Sequence, residues 1–451
     1  MNCRYESIMI KFFFVCICWT FNLTVSVGQR KITLQESINY ALEHNLTIKR
    51  SNINEKISEQ TLLRSKYERY PDLALGGTGQ LNFGRSLDFT SYSYVNDKTL
   101  LSSQYVSSNV TLFQGFQQLN EIKANKYLLE ANKSRTMRLR NDVTLSVIAL
   151  YLKILTLKNQ LLIAKQQDTL FVKQLEFDIK NFQMGKKMSV DVSRTKFQIS
   201  KSGLNITAIQ NDLNNSIADF VLLINIDPAT ELLFVEPVVD ANLENNSDVQ
   251  ELFKLAVKMF PEIKEAEYNH LAAIRRLEIA KGGYYPRLSL SLNATSNYSR
   301  KIKQNSIRFD EPFYEQFKAN LYQYASLNLV IPIFNRLSTK TAVNQARLQI
   351  EDAEAQAFEA KANLYRVINK SVGDFEASKK NYELSQEAFS SSKQTYLIIN
   401  ERYLAGLANS LDLYQAQNEM NSSQLDIVQA RYEMIFRAKV IAFYAGRSIS
   451  Y

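Results

Sequence analysis

The chain has 451 residues, with 54 Lys and Arg against 45 Asp and Glu and a formal net charge of +9. Those charges alternate in sign along helical stretches instead of gathering in blocks, which argues for a solvated surface and against nucleic-acid binding. His44 and His270, the two histidines, have no metal-ligand spacing, and there is no Gly-rich phosphate loop or Ser/His/Asp arrangement. The sequence therefore does not read as an enzyme and implies no cofactor.

Residues 1–28 have the layout of a secretory signal peptide: Arg4 and Lys11, the apolar run Phe12–Trp19, then Ser26-Val27-Gly28 as a small-residue cleavage site. Cys3, Cys16 and Cys18 all fall inside it, so the exported chain is expected to carry no disulfide and no thiol chemistry. Beyond it, the most apolar stretch is Val143–Ala164, interrupted by Lys153, Lys158, Asn159 and Gln160, and it reads as a buried bundle helix. An exported chain with no spanning helix can enter a membrane only with β-strands.

From here the sequence is written twice. Gln35-Glu36, Ala41, Ile48-Lys49 and Tyr70-Pro71 recur as Gln250-Glu251, Ala256, Ile263-Lys264 and Tyr285-Pro286 in a constant register of 215. Further on, Phe182-x-x-Gly185-x-x-x-Ser189-x-Asp191 recurs as Tyr403-x-x-Gly406-x-x-x-Ser410-x-Asp412 in a register of 221. A doubled chain is a repeat architecture. The first repeat is 29–226, the connector 227–248 and the second repeat 249–451. The change of register places the net insertion between the strands of one repeat, where a loop belongs.

Each repeat begins with a helix, over 34–66 and 249–281, that ends ahead of a Tyr-Pro. Pro71 and Pro286 hold their predecessors extended and mark the helix-to-strand switch. Strand pairs follow over 73–113 and 288–333. Leu288, Leu290, Leu292 and Ala294 alternate with Ser289, Ser291, Asn293 and Thr295. Leu73, Leu75, Leu81 and Phe83 stand against Thr78, Gln80 and Asn82. Val106, Val110 and Leu112 alternate with Ser107, Asn109 and Thr111, and Ala325, Leu327 and Leu329 with Tyr324, Ser326 and Asn328. Strands apolar on one face and small-polar on the other fit the wall of a water-filled membrane barrel. The aromatics Phe83, Phe89, Tyr92, Tyr94, Phe309, Phe313, Tyr314 and Phe317 suit a membrane-interface girdle.

From Phe113 to Gly185, and from Phe334 to Gly406, 72 residues run with almost no Gly or Pro. As single helices they would each extend about 108 Å. The second carries a 4-3 stripe, Ala346, Ile350, Ala353, Ala357, Ala360, Leu364 and Val367, as coiled-coil packing requires. Tips at 185–191 and 406–412 lead into return helices of about the length needed, with the opening helix, to match the long one. Leu232–Val235, inside the connector, reads as a short strand.

Four strands per chain cannot close a barrel, so the chain must oligomerise; two copies would give a filled interior and three a passage. The doubled Gln-Glu helix start, the Tyr-Pro strand entry, the strand exits Leu112-Phe113 and Ile333-Phe334, and the aromatic-x-x-Gly-x-x-x-Ser-x-Asp turns together resemble the TolC-like outer-membrane efflux proteins. The resemblance spans nearly all of the chain after the signal peptide. It implies a mainly α fold with a membrane β-barrel: a homotrimer with twelve strands in the outer-membrane lipid of a Gram-negative bacterium and an α-helical tunnel in the periplasm. It further implies a periplasmic adaptor and an inner-membrane RND or ABC transporter as partners, with the chain as the exit duct of an efflux pump or type I secretion system. The alternative is a periplasmic coiled-coil adaptor, but such proteins carry one hairpin, flanked by compact β-domains.

By the same resemblance the two turns form the periplasmic tip, where the pore is narrowest. Gly185 and Gly406 permit the turns, Asp191 and Asp412 lie at the entrance, and Tyr403 matches a gating tyrosine. An arginine that locks the closed state of a well-known member falls here on Ala408, and the matching place in the first repeat holds Lys187, a replacement from the other hairpin. Read from the residues alone, Asp191 and Asp412 are also suited to compensate a helix N-terminus.

Overall fold

The computed structural model describes residues 30–88, 92–96, 98–237, 248–302 and 312–446. The expected signal peptide with its cysteines, the girdle residues Phe89 and Phe309, and residues 238–247 of the connector lie outside the described residues.

In chain order the elements are β1 (Arg30–Ile32), α1 (Leu34–His44), α2 (Leu46–Tyr67), β2 (Ala74–Asn82), β3 (Arg85–Asp88), β4 (Ser93–Asn96), β5 (Lys98–Gln114), α3 (Gln117–Gln183) and α4 (Ser189–Ile224). Then come β6 (Leu232–Phe234), α5 (Val249–Met259), α6 (Pro261–Gly282), β7 (Arg287–Ile302), α7 (Phe313–Ala319), β8 (Tyr322–Val330), α8 (Ser338–Leu404) and α9 (Ser410–Tyr444). Helix lengths agree in pairs: 11 residues for α1 and α5, 22 for α2 and α6, 67 for α3 and α8, and 36 against 35 for α4 and α9.

The single opening helices expected over 34–66 and 249–281 are each split in two. In the first, Asn45 accepts from the backbone N–H of Thr47 and Ile48 at 2.8 and 3.1 Å, capping a new helix, while its amide donates to the Leu223 carbonyl at 2.7 Å. In the second, Pro261 sits in the first turn of α6, where its missing N–H costs nothing, and it holds Phe260 extended. Neither signal is part of the apolar periodicity, which runs through both breaks.

Contacts divide the chain into two compact units. One gathers the residues up to Ile48, Arg140–Leu252 and Val367 onward. Its core is built by α1, the middle of α3, the end of α4 and part of α9, with Val147, Ile148, Ile154, Phe220, Ile224 and Ile435 among the buried residues. The parallel pair β1 and β6 closes this core, joining Arg30–Ile32 to Leu232–Phe234. The short strand expected in the connector is thus β6, whereas β1 follows from no sequence pattern. Tyr151 fastens the pair to α3. Its hydroxyl donates to Val235 O at 2.6 Å, accepts from Val235 N at 3.0 Å, and its ring meets Phe234 edge-on at 5.3 Å. Burial pushes the Tyr151 phenol up to about 12. By composition α3 contains a window apolar enough to span a membrane, but half of that window is buried within the protein.

The other unit comprises Lys49–Leu139 and Phe253–Arg366. Here α2 runs antiparallel to the start of α3: Ser51 meets Thr136 at 2.9 Å, and Asn132 donates to Ser58 at 2.6 Å. Arg138 pairs with Glu265 of α6 at 3.0 Å. Along α8, Ala346 and Leu364 of the 4-3 stripe are buried and the stripe's other members are half-buried.

The sheet of this unit has the order β2-β5-β7-β8, antiparallel throughout. Its register sorts the side chains. Leu75 pairs with Val106, Val106 with Ala294, Val110 with Leu290, Leu290 with Leu327 and Leu288 with Leu329, so one face collects the apolar residues of all four strands. Ser107 pairs with Asn293, Asn109 with Ser291, Ser291 with Ser326 and Ser289 with Asn328, giving the other face small polar groups. A bulge at Leu112 breaks the alternation expected there, because Thr111 and Phe113 pair with the consecutive residues Ser289 and Leu288. β8 ends at Val330, before the expected exit at Ile333-Phe334, since Pro332 cannot donate to a ladder.

The strand-strand segments carry two elements that alternation does not reveal. One is the hairpin β3–β4. The other is α7, which occupies the edge of β7 beyond the end of β8: Ser299 N donates to the Gln316 side chain at 3.0 Å, and Asn320 donates to Asn297 O at 2.7 Å. Phe313, expected in a girdle, packs its ring tilted against that of Tyr298 from this helix, with centroids 5.2 Å apart. Pro71 and Pro286 lie in the short segments between α2 and β2 and between α6 and β7.

Candidate functional site

The hairpin tips lie wholly within the first unit. Both close with the same backbone geometry. Gly185 N donates to Phe182 O at 3.0 Å and Lys186 N to Asn181 O at 2.8 Å; Gly406 N donates to Tyr403 O at 3.0 Å and Leu407 N to Arg402 O at 2.7 Å. This pair of bonds caps a helix whose next residue is left-handed. Gly185 and Gly406 take φ of +70° and +78°, and a Cβ on either would meet nothing within 4 Å, so backbone conformation alone calls for glycine.

Asp191 and Asp412 stand in the first turns of α4 and α9. Asp191 accepts from Met188 N at 3.3 Å, completing the cap that Met188 cannot supply. Its other oxygen accepts from the Ser410 hydroxyl at 2.6 Å, and Ser410 in turn accepts from Arg194 at 3.2 Å. Asp191 thus caps its own helix and reaches the other hairpin. Asp412 is exposed, and the capping of α9 falls to Asn409, which accepts from Leu411 N and Asp412 N at 2.8 and 2.9 Å.

Between the tips lies a polar cluster that sequence reasoning saw only in part. Its centre is Asp178, on α3 and fully buried. The Asp178 carboxylate accepts from the Tyr403 hydroxyl at 2.8 Å, from Thr195 Oγ1 at 2.6 Å and from Gln174 Nε2 at 2.9 Å. Lys187 Nζ, in the first turn, closes on the same carboxylate and on the Tyr403 hydroxyl, and lies 4.1 Å from the Tyr403 ring centroid. Thr195 also meets the hydroxyl of Tyr414 on α9. Burial pushes the Tyr414 phenol up, and the Asp178 and Asp191 charges act in the same direction.

Lys187 and Tyr403, singled out by the family resemblance, are therefore brought together, with Lys187 bonded both to its own hairpin and to the opposite one. Ala408 is half-buried and takes no part. Asp178, Thr195 and Tyr414 were missed. A signal for Asp178 existed, for it falls on the stripe Phe171, Leu175, Asp178, Phe182, a carboxylate at an apolar position. The cluster is lopsided. The first hairpin supplies the carboxylates and the ammonium, and the second supplies two phenols and a serine hydroxyl.

Among the described residues no group of His, Cys, Asp and Glu is placed to hold a metal ion. The cluster joins the two helical hairpins through side-chain hydrogen bonds and the Lys187–Asp178 ion pair.

The sequence profile described as "Outer membrane efflux protein" matches residues 252–447. Protein CyaE of Bordetella pertussis is 21% identical over 418 residues, 92% of this chain and 84% of that protein. The outer membrane efflux protein BepC of Brucella suis is 18% identical over 426 residues, 94% and 88% of the two chains. Among solved structures, the outer membrane protein VceC of Vibrio cholerae superposes with a TM-score of 0.75 at 17% identity, covering 92% of this chain and 97% of that one. CusC, described in terms of transmembrane channel formation, gives a TM-score of 0.76 at 14% identity over 92% of both chains. The second half of the chain thus matches the outer membrane efflux protein family, and its fold over more than nine-tenths of its length is that of these solved outer-membrane channels.

Proposed function

We propose that this protein is the outer-membrane exit duct of a tripartite efflux pump or type I secretion system. The observation that carries the reading is the register of the sheet, which sends the apolar residues of four strands to one face and leaves β2 and β8 as edges. Open strand edges are not tolerated in lipid, so the sheet closes with other copies. Three copies supply twelve strands, a barrel wide enough for an aqueous passage, with the Ser, Thr and Asn face inward. Each copy adds two helical hairpins of matched length to a periplasmic tunnel, in keeping with an internally duplicated chain.

In this reading the cluster around Asp178 holds the tunnel closed. Opening requires the hairpins to part, which breaks the bonds from Tyr403 to Asp178 and from Ser410 to Asp191. A periplasmic adaptor and an inner-membrane RND or ABC transporter supply the differential binding that favours the parted state. The related proteins include both efflux and secretion components by their names, the alkaline protease secretion protein AprF of Pseudomonas aeruginosa among them. The adaptor alternative is the weaker reading, since the hairpins are doubled and the family match is to efflux proteins.

Deletion of the gene, followed by a toxicant-susceptibility panel and a comparison of secreted proteins, tests the role. A deletion strain with raised susceptibility or a missing exported product, restored by the full chain, is the expected result. An unchanged profile in both screens would remove export as the main role.

A further inference from the structure

On the polar face of the sheet, three tyrosines stand among serines, threonines and asparagines. Tyr105 of β5 pairs with Thr295, and Thr295 pairs with Tyr322 of β8, so Tyr105 and Tyr322 lie on one row across the sheet. Tyr324 is two residues along on the same face, opposite Asn293, and its ring stacks on that of Tyr322 with centroids 5.5 Å apart and 30° between planes. All three are exposed, at 42%, 62% and 44%.

The row crosses the middle of β5 and β7 and reaches the first residues of the edge strand β8. Tyrosines that anchor a barrel gather at the two membrane surfaces and face lipid; these face away from the apolar side. Their seating is specific. Gly76, the cross-strand partner of Tyr105, carries no Cβ, and one placed there would lie 2.4 Å from Tyr105 Cζ and 2.5 Å from its hydroxyl oxygen. The glycine makes room for the Tyr105 ring to lie across its neighbour strand with a face open. Charge narrows the ligand further: β2, β5, β7 and β8 contain no Asp or Glu that would repel an anion, and Arg287 shares the parity of the polar face.

We infer that Tyr105, Tyr322 and Tyr324 form a stacking platform inside the barrel that retains planar aromatic anions on their way out. The inference rests on the exit-duct reading, which sets this face toward the lumen. A phenol offers a π-face to a flat ring and a hydroxyl to its polar substituent, in a passage otherwise lined by small groups with little surface to offer. Cargo of this class would be slowed at mid-barrel and discriminated from aliphatic acids of equal charge and size.

The full chain, purified and inserted into planar bilayers, tests this with 2-naphthoate and with the aliphatic analogue decalin-2-carboxylate added on the barrel side. The wild type is expected to be blocked by 2-naphthoate at a concentration well below that of the analogue. Tyr322→Leu with Tyr324→Leu should raise the half-blocking concentration of 2-naphthoate about fivefold, the scale of an aromatic contact, and leave the analogue unchanged. Tyr322→Phe with Tyr324→Phe keeps the rings and should keep the block, and Tyr105→Leu gives an independent variant on another strand. Equal block by both acids, or leucine variants blocked like the wild type, would overturn the platform while leaving a conducting channel. Absence of any conductance would overturn the exit-duct reading, and the platform with it.

Discussion

Tyr403 donates to the buried carboxylate of Asp178 at 2.8 Å across two hairpins whose sequences are versions of one another. Phe182, the counterpart of Tyr403 in the first repeat, has no hydroxyl and is 45% exposed, against 5% for Tyr403. This bond between the hairpins is therefore made once per chain.

Asp178→Asn leaves Lys187 beside a neutral amide in a site where the ammonium is only 15% exposed. Breaking a buried pair by removing one partner costs about 3–5 kcal/mol. The tip should loosen, seen as raised single-channel conductance and as uptake of large antibiotics by cells carrying the variant. Asp178→Asn combined with Lys187→Met should be less damaging than Asp178→Asn alone, because the charge left over has gone. Equal conductance in wild type and Asp178→Asn would show that the cluster does not hold the tip.

Gly185→Ala and Gly406→Ala place a Cβ at positive φ, which costs about 1–2 kcal/mol at each position. Both variants should fold, with a lower midpoint in thermal unfolding. Gly185→Asn should fall between wild type and Gly185→Ala, since asparagine tolerates the left-handed region.

Leu290→Arg and Ser291→Arg are neighbours in sequence on opposite faces of β7. If the apolar face meets lipid, Leu290→Arg should destabilise the folded barrel by about 2–4 kcal/mol, whereas Ser291→Arg should be tolerated. Urea titration of the heat-modifiable form separates the two. Equal sensitivity would contradict the facing.

Tyr432 is pushed up to about 12, first by burial and then by the adjacent Glu236 charge, and Tyr151 reaches about 12 mainly through burial. Folding thus holds both phenols neutral. Below pH 10 they are neutral in the unfolded chain as well, and their contribution to stability is complete. Above pH 10 the unfolded chain ionises first, so stability falls as pH rises toward 12. Alkaline unfolding followed by helical circular dichroism should show this loss. Tyr432→Phe, which cannot ionise, should flatten the slope.

Much of the fold was legible because it rests on periodicity. The 2-residue alternation of Leu288 to Ala294 and the glycine-poor runs before Gly185 and Gly406 each dictate one element whatever surrounds them. The breaks at Asn45 and Phe260 were not legible, since single capping or Pro-linked residues interrupt an apolar pattern that continues past them. β1 was not legible either: three residues form a strand only because β6 and Tyr151 are there to hold them. At the tip, local turn chemistry announced Gly185 and Asp191, and the family resemblance pointed to Lys187 and Tyr403. Asp178, Thr195 and Tyr414 come from three helices, and no spacing within the chain records that they meet.

Helix α7 has a consequence for the proposed association of copies. With Gln316 and Asn320 holding the outer part of β7, an arriving strand meets a ladder already engaged there. What stays open is the outer side of β2 and the outer side of β8, nine residues each. A sheet with one blocked stretch and two equal free margins admits a neighbour in few alignments. In the proposed assembly α7 would act as a stop against slipped pairing along β7.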